Sequence, residues 1–243
     1  MRAWLHLRRE AAQRHLLVFD RVTDWSALRR LRPYRPDFGR ERGECIDRFY
    51  IEKFLAANKE SIRGQVAEIE GDQYTKLFGD GRVVHSDILD VNEQNTMRTI
   101  TIDLAQTDSA PQDVFDCIIC TQTLFLIYDY AAAVRSLYKM LRPSGVLLVT
   151  VPGICSNVRG NLLAGAGEDW WRFTARSAQR AFGDVFSDPD VVLNTYGNVL
   201  AATAFLHGLV QKELTPAELE YHDPDYEVII GIKAMKRASR SVA

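Results

Sequence analysis

Several features are scarce in this 243-residue chain, and each scarcity excludes a class of protein. Lys and Arg total 30 against 32 Asp and Glu, so the formal net charge is only −2. Duplex nucleic acid normally calls for a basic face, and this balance gives no sign of one. No stretch predicts a membrane-spanning helix, and the N-terminus lacks the continuous apolar run of a signal peptide. We therefore expect a cytoplasmic protein without a nucleic-acid partner or a membrane span.

Cysteine is also scarce, with four residues in the chain. Cys117 and Cys120 have the spacing of a metal-binding pair, but they lie in the apolar run Phe115–Thr121, which predicts a buried strand. Positions three apart on a strand point to opposite faces, so these two thiols cannot share one ion. The five histidines are scattered as well. We predict no metal site, and free thiols indicate a reducing compartment.

The first 60 residues differ in texture from the rest. They are rich in Arg and Leu, and helical spacing of apolar residues predicts helices over Met1–Asp20 and Asp47–Asn58. A loop rich in proline separates the two helices. We predict a helical N-terminal extension over 1–60 and a single larger domain over 61–243.

From residue 65 onward, strand and helix patterns alternate. A helix over Asp129–Leu141 ends at the stop signal Arg-Pro-Ser-Gly, and this alternation is typical of a parallel sheet covered on both faces. We predict an α/β fold with a doubly wound, seven-stranded, mostly parallel sheet. The predicted strands are Gln65–Ile69, Arg82–Ser86, Arg98–Asp103, Phe115–Cys120, Val146–Val151, Val191–Tyr196 and Tyr226–Ala234.

Ligands of doubly wound sheets bind beyond the carboxyl ends of the strands. Acidic residues follow or end the first three predicted strands here, and a Phe-Asp pair opens the fourth. In this order the landmarks resemble class I S-adenosylmethionine-dependent methyltransferases of Rossmann-like fold, over about residues 64–153. The residues that carry the resemblance are Glu68, Asp87, Asp103, Phe115-Asp116 and Leu141–Gly145.

The resemblance implies that S-adenosylmethionine is the cofactor, with S-adenosylhomocysteine as product. Asp87, which is followed by Ile88, would accept hydrogen bonds from both ribose hydroxyls. The alternative interpretation is that Asp87 is an ordinary turn residue. Asp103 would accept from the adenine amino group while Leu104 packs near the ring, and the alternative for Asp103 is a helix or turn cap. Thr121 would face the cofactor from the end of the fourth strand.

The loop after the first strand departs from the family pattern. Glu68 would neutralise the cofactor's ammonium group or orient this loop. The family expects three closely spaced glycines there, whereas this chain has Gly71 alone. A nicotinamide dehydrogenase needs such glycines to admit a pyrophosphate, so that class is disfavoured. A methyltransferase-like domain that binds a partner without catalysis stays open as the alternative.

A narrower resemblance points to the acceptor. It links the chain to a bacterial methyltransferase subfamily that accompanies glycosyltransferases and polysaccharide assembly. It implies metal-free O-methylation of a sugar or glycan-linked acceptor and a glycosyltransferase as a neighbour. The segments that carry it are Arg42–Leu55, Tyr74–Gly79, Thr121–Leu124, Asp169–Thr174 and Gly197–Gly208.

Two segments contain the candidate acceptor-binding residues. One is a short helix that carries several polar side chains, namely Asp47, Arg48, Tyr50 and Glu52, of which Arg48 and Tyr50 are the candidates. The alternative interpretation is that these side chains form the solvated face of an amphipathic helix. In the other segment, Trp170 and Trp171 could form a platform for a sugar ring, and Arg172 could bind a carboxylate. The alternative interpretation is that these aromatic residues pack a helix onto the sheet.

A hydroxyl acceptor needs a general base because alcohols are poor nucleophiles at neutral pH. We expect Asp169 to be this base, with His207 as the second candidate. His207 lies in the apolar run Ala201–Leu209, where a histidine is more often a core residue.

Overall fold

The computed structural model describes residues 29–158 and 168–238. The chain divides into two compact units, Met1–Pro33 and Tyr34–Ala243. Among the described residues, every helix and strand belongs to the larger unit. The helix predicted over Met1–Asp20 lies outside the described residues.

One seven-stranded sheet forms the centre of the larger unit, in the order β3-β2-β1-β4-β5-β7-β6. β7 runs antiparallel to both of its neighbours, and the other pairs are parallel. This arrangement confirms the predicted doubly wound, mostly parallel sheet. The strands are β1 (Gly64–Ile69), β2 (Val83–Asp90), β3 (Ile100–Thr101), β4 (Phe115–Thr121), β5 (Leu141–Pro152), β6 (Val191–Tyr196) and β7 (Ile229–Met235).

Helices cover both faces of the sheet and create two apolar cores. Leu137 and Phe182 help to fill one core, and Phe54 and Phe205 help to fill the other. No helix in the described part of the chain is long and apolar enough to cross a membrane. The helices are α1 (Ile46–Ala57), α2 (Gln73–Phe78), α3 (Tyr130–Met140), α4 (Ala175–Phe186), α5 (Val199–Leu206) and α6 (Pro216–Glu220).

The two cysteines of β4 lie on opposite faces of the sheet. Cys120 belongs to the core under α3 and α4, whereas Cys117 belongs to the core under α1 and α5. This placement confirms that both are small core residues, and all four cysteines of the chain are free. Burial raises the pKa of each of these two thiols to about 12, so both stay protonated at neutral pH.

Helix α1 is an integral part of the larger unit. Its residues Ile46, Ile51 and Phe54 are fully buried, and a Cβ added at Gly231 of β7 would collide with the ring of Phe54. The division between the compact units falls after Pro33, so α1 belongs to the larger unit. The reason is that the apolar face of α1 is needed to cover one side of the sheet.

Capping side chains set the starts of α3 and α4, and α3 was predicted over Asp129–Leu141. The Asp129 side chain accepts a hydrogen bond from Ala132 N at 2.8 Å and begins α3. Thr174 begins α4 through a capping box with Ser177. Strand β5 starts directly after α3 at Leu141 rather than at Val146, and it includes the Arg-Pro-Ser-Gly segment, in which Ser144 has a φ of 67°.

The Phe-Asp and Leu-Arg-Pro landmarks pin three strands together. Asp116 Oδ2 accepts hydrogen bonds from Gln65 N and from Arg142 Nη1, both at 2.8 Å. These contacts join the starts of β1, β4 and β5. Both landmarks therefore stabilise the amino edge of the sheet, opposite the edge where ligands bind in such folds.

The second and third strands differ from the prediction. β2 continues to Asp90 rather than ending at Ser86, because the buried residues Ile88 and Leu89 pair with β1. β3 is correspondingly reduced to Ile100–Thr101. The carboxyl end of β2 therefore lies three residues beyond Asp87.

Candidate active site

A cavity of about 550 Å³ lies at the carboxyl ends of β1 and β4. Its walls come from the loop after β1, the residues after β4, and the segment that leads into α1. Its size is typical of small-molecule sites. The residues that line it include Arg40, Asp47, Arg48, Glu68, Glu70, Gly71, Asp72, Tyr74, Thr121, Phe125, Phe205 and Ile229.

The loop after β1 turns sharply into the cavity wall. Glu70 adopts a φ of 68°, an uncommon conformation for a residue other than glycine, and its N donates to Leu89 O at 2.9 Å. A Cβ added at Gly71 would meet no atom within 4 Å. The single glycine of this loop therefore lies beside open space in the cavity, where a ligand can approach the backbone.

Glu68 orients this loop. Its Oε1 accepts from Tyr74 N at 3.1 Å, and its Oε2 accepts from Thr75 N at 2.7 Å and Thr75 Oγ1 at 2.8 Å. Burial raises the pKa of Glu68, and these hydrogen bonds offset part of the rise. Of the two roles considered for Glu68, these contacts fit the orientation of the loop, because they hold the loop and the first turn of α2 in place.

Asp87 lies within β2 and does not line the cavity. Its carboxylate accepts from Thr99 Oγ1 at 2.8 Å and from Gln65 Nε2 at 3.2 Å, and Ile88 beside it is 7% exposed. Asp90, which the sequence reasoning missed, ends the strand instead. The signal that could have identified Asp90 is the apolar pair Ile-Leu between the two acids, which continues the strand.

Asp90 is held firmly at this edge. Its Oδ1 accepts from Asn92 N at 2.8 Å, and its Oδ2 accepts from Asn95 Nδ2 at 2.7 Å. Asn95 Nδ2 also donates to Glu70 O at 3.0 Å, which ties the ends of β1 and β2 together. Each Asp90 oxygen keeps a second lone pair for a ligand.

The remaining predicted cofactor residues are divided. Thr121 lines the cavity, whereas Asp103 and Leu104 do not. Asp103 is exposed, and its Oδ1 accepts from Ala105 N at 2.9 Å, which is a turn contact. Leu104 is 5% exposed and belongs to the core.

The first turn of α1 brings two charged residues to the cavity. Asp47 Oδ1 accepts from Arg48 N at 3.0 Å, and Arg48 Nη1 donates to Tyr74 Oη at 2.6 Å. Burial raises the pKa of Asp47, and the charge of Arg48 offsets part of the rise. Tyr50 instead lies in the core, where its hydroxyl donates to Leu219 O at 3.1 Å. Of the predicted pair on this helix, only Arg48 lines the cavity.

Asp169 forms a two-pronged ion pair with Arg172. Both Asp169 oxygens accept from the guanidinium, at 2.5 and 2.8 Å, and Oδ2 also accepts from Val158 N at 2.6 Å. Burial raises the pKa of Asp169, but these donors outweigh it and hold the pKa below the usual range. A low pKa and three donors make this carboxylate a weak proton acceptor, and it does not line the cavity.

The other predicted acceptor residues also lie outside the cavity lining. His207 follows α5, its ring centroid is 5.4 Å from that of Tyr34, and its Nδ1 makes no hydrogen bond within the described part of the chain. Trp171 donates from Nε1 to two backbone oxygens at 3.1 Å. Trp170 is 47% exposed and packs edge-on against Tyr128.

Comparisons with known proteins agree with this architecture. A family model for a methyltransferase domain matches residues 63–187, just over half of the chain. A stretch of 76 residues is 33% identical to probable polyketide synthase 5 of Dictyostelium discoideum, covering 31% of this chain and 3% of that protein. The chain thus spans a small fraction of the length of this curated relative.

Solved structures share the fold at low sequence identity. A SAM-dependent methyltransferase from Archaeoglobus fulgidus is 11% identical with a TM-score of 0.50, covering 78% of this chain and 94% of that one. A second one, from Mesorhizobium loti, is 14% identical with a TM-score of 0.50, covering 79% and 98%. The [4+2]-cyclase SpnF is 15% identical with a TM-score of 0.50, covering 82% and 84%.

Proposed function

The chain belongs to the methyltransferase domain family and is an S-adenosylmethionine-dependent methyltransferase, and from this premise we propose that it methylates a hydroxyl group of a sugar or glycan-linked acceptor. One observation carries the proposal. The cavity joins the loop after β1, where the family holds its cofactor, to the Asp47 carboxylate on α1, which has the raised pKa that a general base needs.

The residues at the cavity fit the cofactor. S-adenosylmethionine carries a sulfonium, an ammonium and a carboxylate, and it supplies an electrophilic methyl group when bound. Glu70 and Asp72 line the cavity as anions, and Arg48 lines it as a cation, so both signs find partners. The space beside Gly71 admits close approach to the backbone, and Thr121 and Phe125 line the adjoining wall.

We assign the ribose hydroxyls to Asp90, helped by Glu70, in place of Asp87. Neither aspartate belongs to the cavity lining, but Asp90 ends β2 at the carboxyl edge of the sheet, where Asn95 ties it to Glu70 of the cavity wall, whereas Asp87 lies three residues earlier in the strand. Asp103 and Leu104 remain the proposed adenine side. They follow β3, which is the next strand along the same edge.

Asp90→Ala is expected to weaken binding of S-adenosylhomocysteine by about 1.5–3 kcal/mol, the range for a hydrogen bond to a charged group. Asp87→Ala is the matched control, since it removes a carboxylate from the same strand, three residues before the strand ends. Isothermal titration of both variants measures the difference. If Asp87→Ala weakened binding and Asp90→Ala did not, the ribose assignment would return to Asp87.

In the proposed reaction, Asp47 takes the proton of the acceptor hydroxyl as oxygen becomes nucleophilic. This role requires no metal, because the carboxylate itself supplies the base. Phe205 and Ile229 add apolar surface to the lining near α1, which excludes water from the nucleophile. Arg40 supplies donors for neighbouring hydroxyls, in place of the Trp170 and Trp171 platform.

A titration tests the function directly. The full chain is titrated with S-adenosylmethionine, and release of S-adenosylhomocysteine is then measured with a panel of methyl glycosides and oligosaccharides. Micromolar binding followed by transfer to a sugar hydroxyl is the expected result. No cofactor binding in the micromolar range would contradict the enzyme assignment.

The alternative of a binding domain without catalysis rests on the single glycine after β1. Binding of the cofactor with no transfer to any acceptor class would favour it. We also propose a cytoplasmic location, supported by the four free cysteines, and a glycosyltransferase as neighbour, supported by the sequence resemblance alone.

A further inference from the structure

A second cavity lies beside the candidate active site. Its volume is about 440 Å³, and it shares five lining residues with the first cavity, namely Arg40, Cys45, Arg48, Gln73 and Tyr74. Arg48 Nη1 donates to Tyr74 Oη at 2.6 Å, so this hydrogen bond belongs to the shared wall. Arg48 also interacts electrostatically with Asp47, Glu52 and Glu70. The two cavities therefore lie side by side, separated by side chains that hold one another in place.

Helices α1 and α2 each present one face to the second cavity. Arg48 and Glu52 are four residues apart on α1, and Gln73 and Leu77 are four residues apart on α2. Residues with this spacing lie on the same side of a helix, and all four line the second cavity. Glu52 and Leu77 do not line the first cavity. The second cavity thus has side chains of its own, which the proposed methyl transfer does not use.

The segment that leads into α1 forms a further wall of the second cavity, and it is anchored. Glu44 O accepts from Gln211 N at 2.9 Å, and Cys45 O accepts from Gln211 Nε2 at 3.0 Å. On the side of α2, the backbone N of Tyr74 is bound to Glu68. A cavity whose walls are fixed before the ligand arrives loses little conformational entropy on binding.

The charges around the second cavity are balanced. Glu44 and Glu52 are its anions, and Arg40 and Arg48 are its cations. Burial raises the pKa of Glu52, the charge of Glu44 adds to the rise, and Arg48 offsets part of it. An anionic ligand would meet two carboxylates here, and a cationic ligand would meet two guanidiniums. Hydroxyl groups both donate and accept hydrogen bonds, so a neutral ligand rich in hydroxyls pairs with both kinds of side chain.

We propose that the second cavity binds a further sugar ring of the acceptor, next to the ring that is methylated, so that the acceptor is a disaccharide or a longer glycan. The inference rests on the proposed function and narrows its acceptor. Arg40 lines both cavities and would donate to hydroxyls of both rings. Leu77, which is 59% exposed, supplies apolar surface for the C–H groups of the further ring.

The test compares acceptors of one and two sugar rings. The full chain with S-adenosylmethionine is assayed on methyl glucoside, methyl mannoside, methyl galactoside and methyl rhamnoside, and on each of these extended by one further sugar. Wild type is expected to show a kcat/KM about ten- to a hundredfold higher for the two-ring form of the sugar that it accepts. Leu77→Trp places a bulky side chain in the second cavity and should bring this ratio close to one.

Val84→Trp is the matched control, because Val84 is 88% exposed on β2 and lines neither cavity. It should keep the wild-type ratio. Glu52→Ala adds a second readout, since it removes a hydrogen-bond acceptor from the second cavity alone, and a smaller fall of the ratio is expected.

A wild-type ratio near one, or an unchanged ratio in Leu77→Trp, would overturn the proposal. An equal loss of activity on one and two rings in Leu77→Trp and Glu52→Ala would also overturn it, because it indicates that these residues only support the first cavity. If wild type methylates no sugar of either length, the proposed function itself fails and the inference fails with it.

Discussion

Asp47→Asn is expected to lower the rate of methyl transfer by about 10²- to 10⁴-fold, the usual contribution of a general base. The substitution keeps the size of the side chain but removes its ability to take the acceptor proton. Cofactor affinity should be unchanged, because Asp47 is not assigned a contact with the cofactor. Single-turnover rates at saturating cofactor, together with titration of S-adenosylhomocysteine, separate the two quantities.

The pH dependence of the rate provides an independent check on Asp47. A general base acts only when ionised, so the rate should rise with pH through the pKa of Asp47. Because burial raises this pKa, the acid limb should lie above the ordinary aspartate value of about 3.9. Asp47→Asn should remove the limb, whereas Glu41→Gln, an exposed neighbour, should leave it intact. Full activity of Asp47→Asn would reject this base.

Patterns confined to single elements were sufficient for most of the fold. Alternation of strands and helices predicted the sheet, and helical spacing over Asp129–Leu141 predicted α3. The end of β2 was harder, because His85, Ser86 and Asp87 are polar and suggest a turn. The strand continues because Thr99 and Gln65 satisfy the Asp87 carboxylate. Such distant partners are invisible in local periodicity.

The candidate base shows the same limit. Asp169 and Arg172 are three residues apart and form an ion pair, yet the sequence predicted separate roles for them, Asp169 as the base and Arg172 as the partner of an acceptor carboxylate. The assignment of Asp47 depends on contacts that place the first turn of α1 at the carboxyl edge of the sheet. These contacts involve buried residues far apart in sequence, such as Phe54 and Gly231. A chemical role that depends on tertiary packing cannot be derived from a helical pattern alone.

The Asp169–Arg172 pair is expected to serve stability rather than catalysis. Asp169→Ala removes a carboxylate that is 7% exposed and leaves Arg172 without its anion. Because a quarter of Arg172 remains exposed, we expect a loss of about 3 kcal/mol, the low end for a broken buried pair. This corresponds to a fall of about 6–12 °C in Tm for a domain of this size. Thermal unfolding of wild type and variant measures it.

The exposed pair Arg180–Asp184 provides the matched control, because its side chains are 83% and 57% exposed. Asp184→Ala should change the free energy of unfolding by less than about 0.5 kcal/mol.

The pH dependence of the stability that Asp169 contributes has a definite sign, since the folded pKa of Asp169 lies below its unfolded value. Its contribution is present above the unfolded value of about 3.9 and is lost as pH falls through the lower folded value. Wild type and Asp169→Ala should therefore converge in acid. A variant with unchanged Tm but reduced turnover would instead return Asp169 to the reaction.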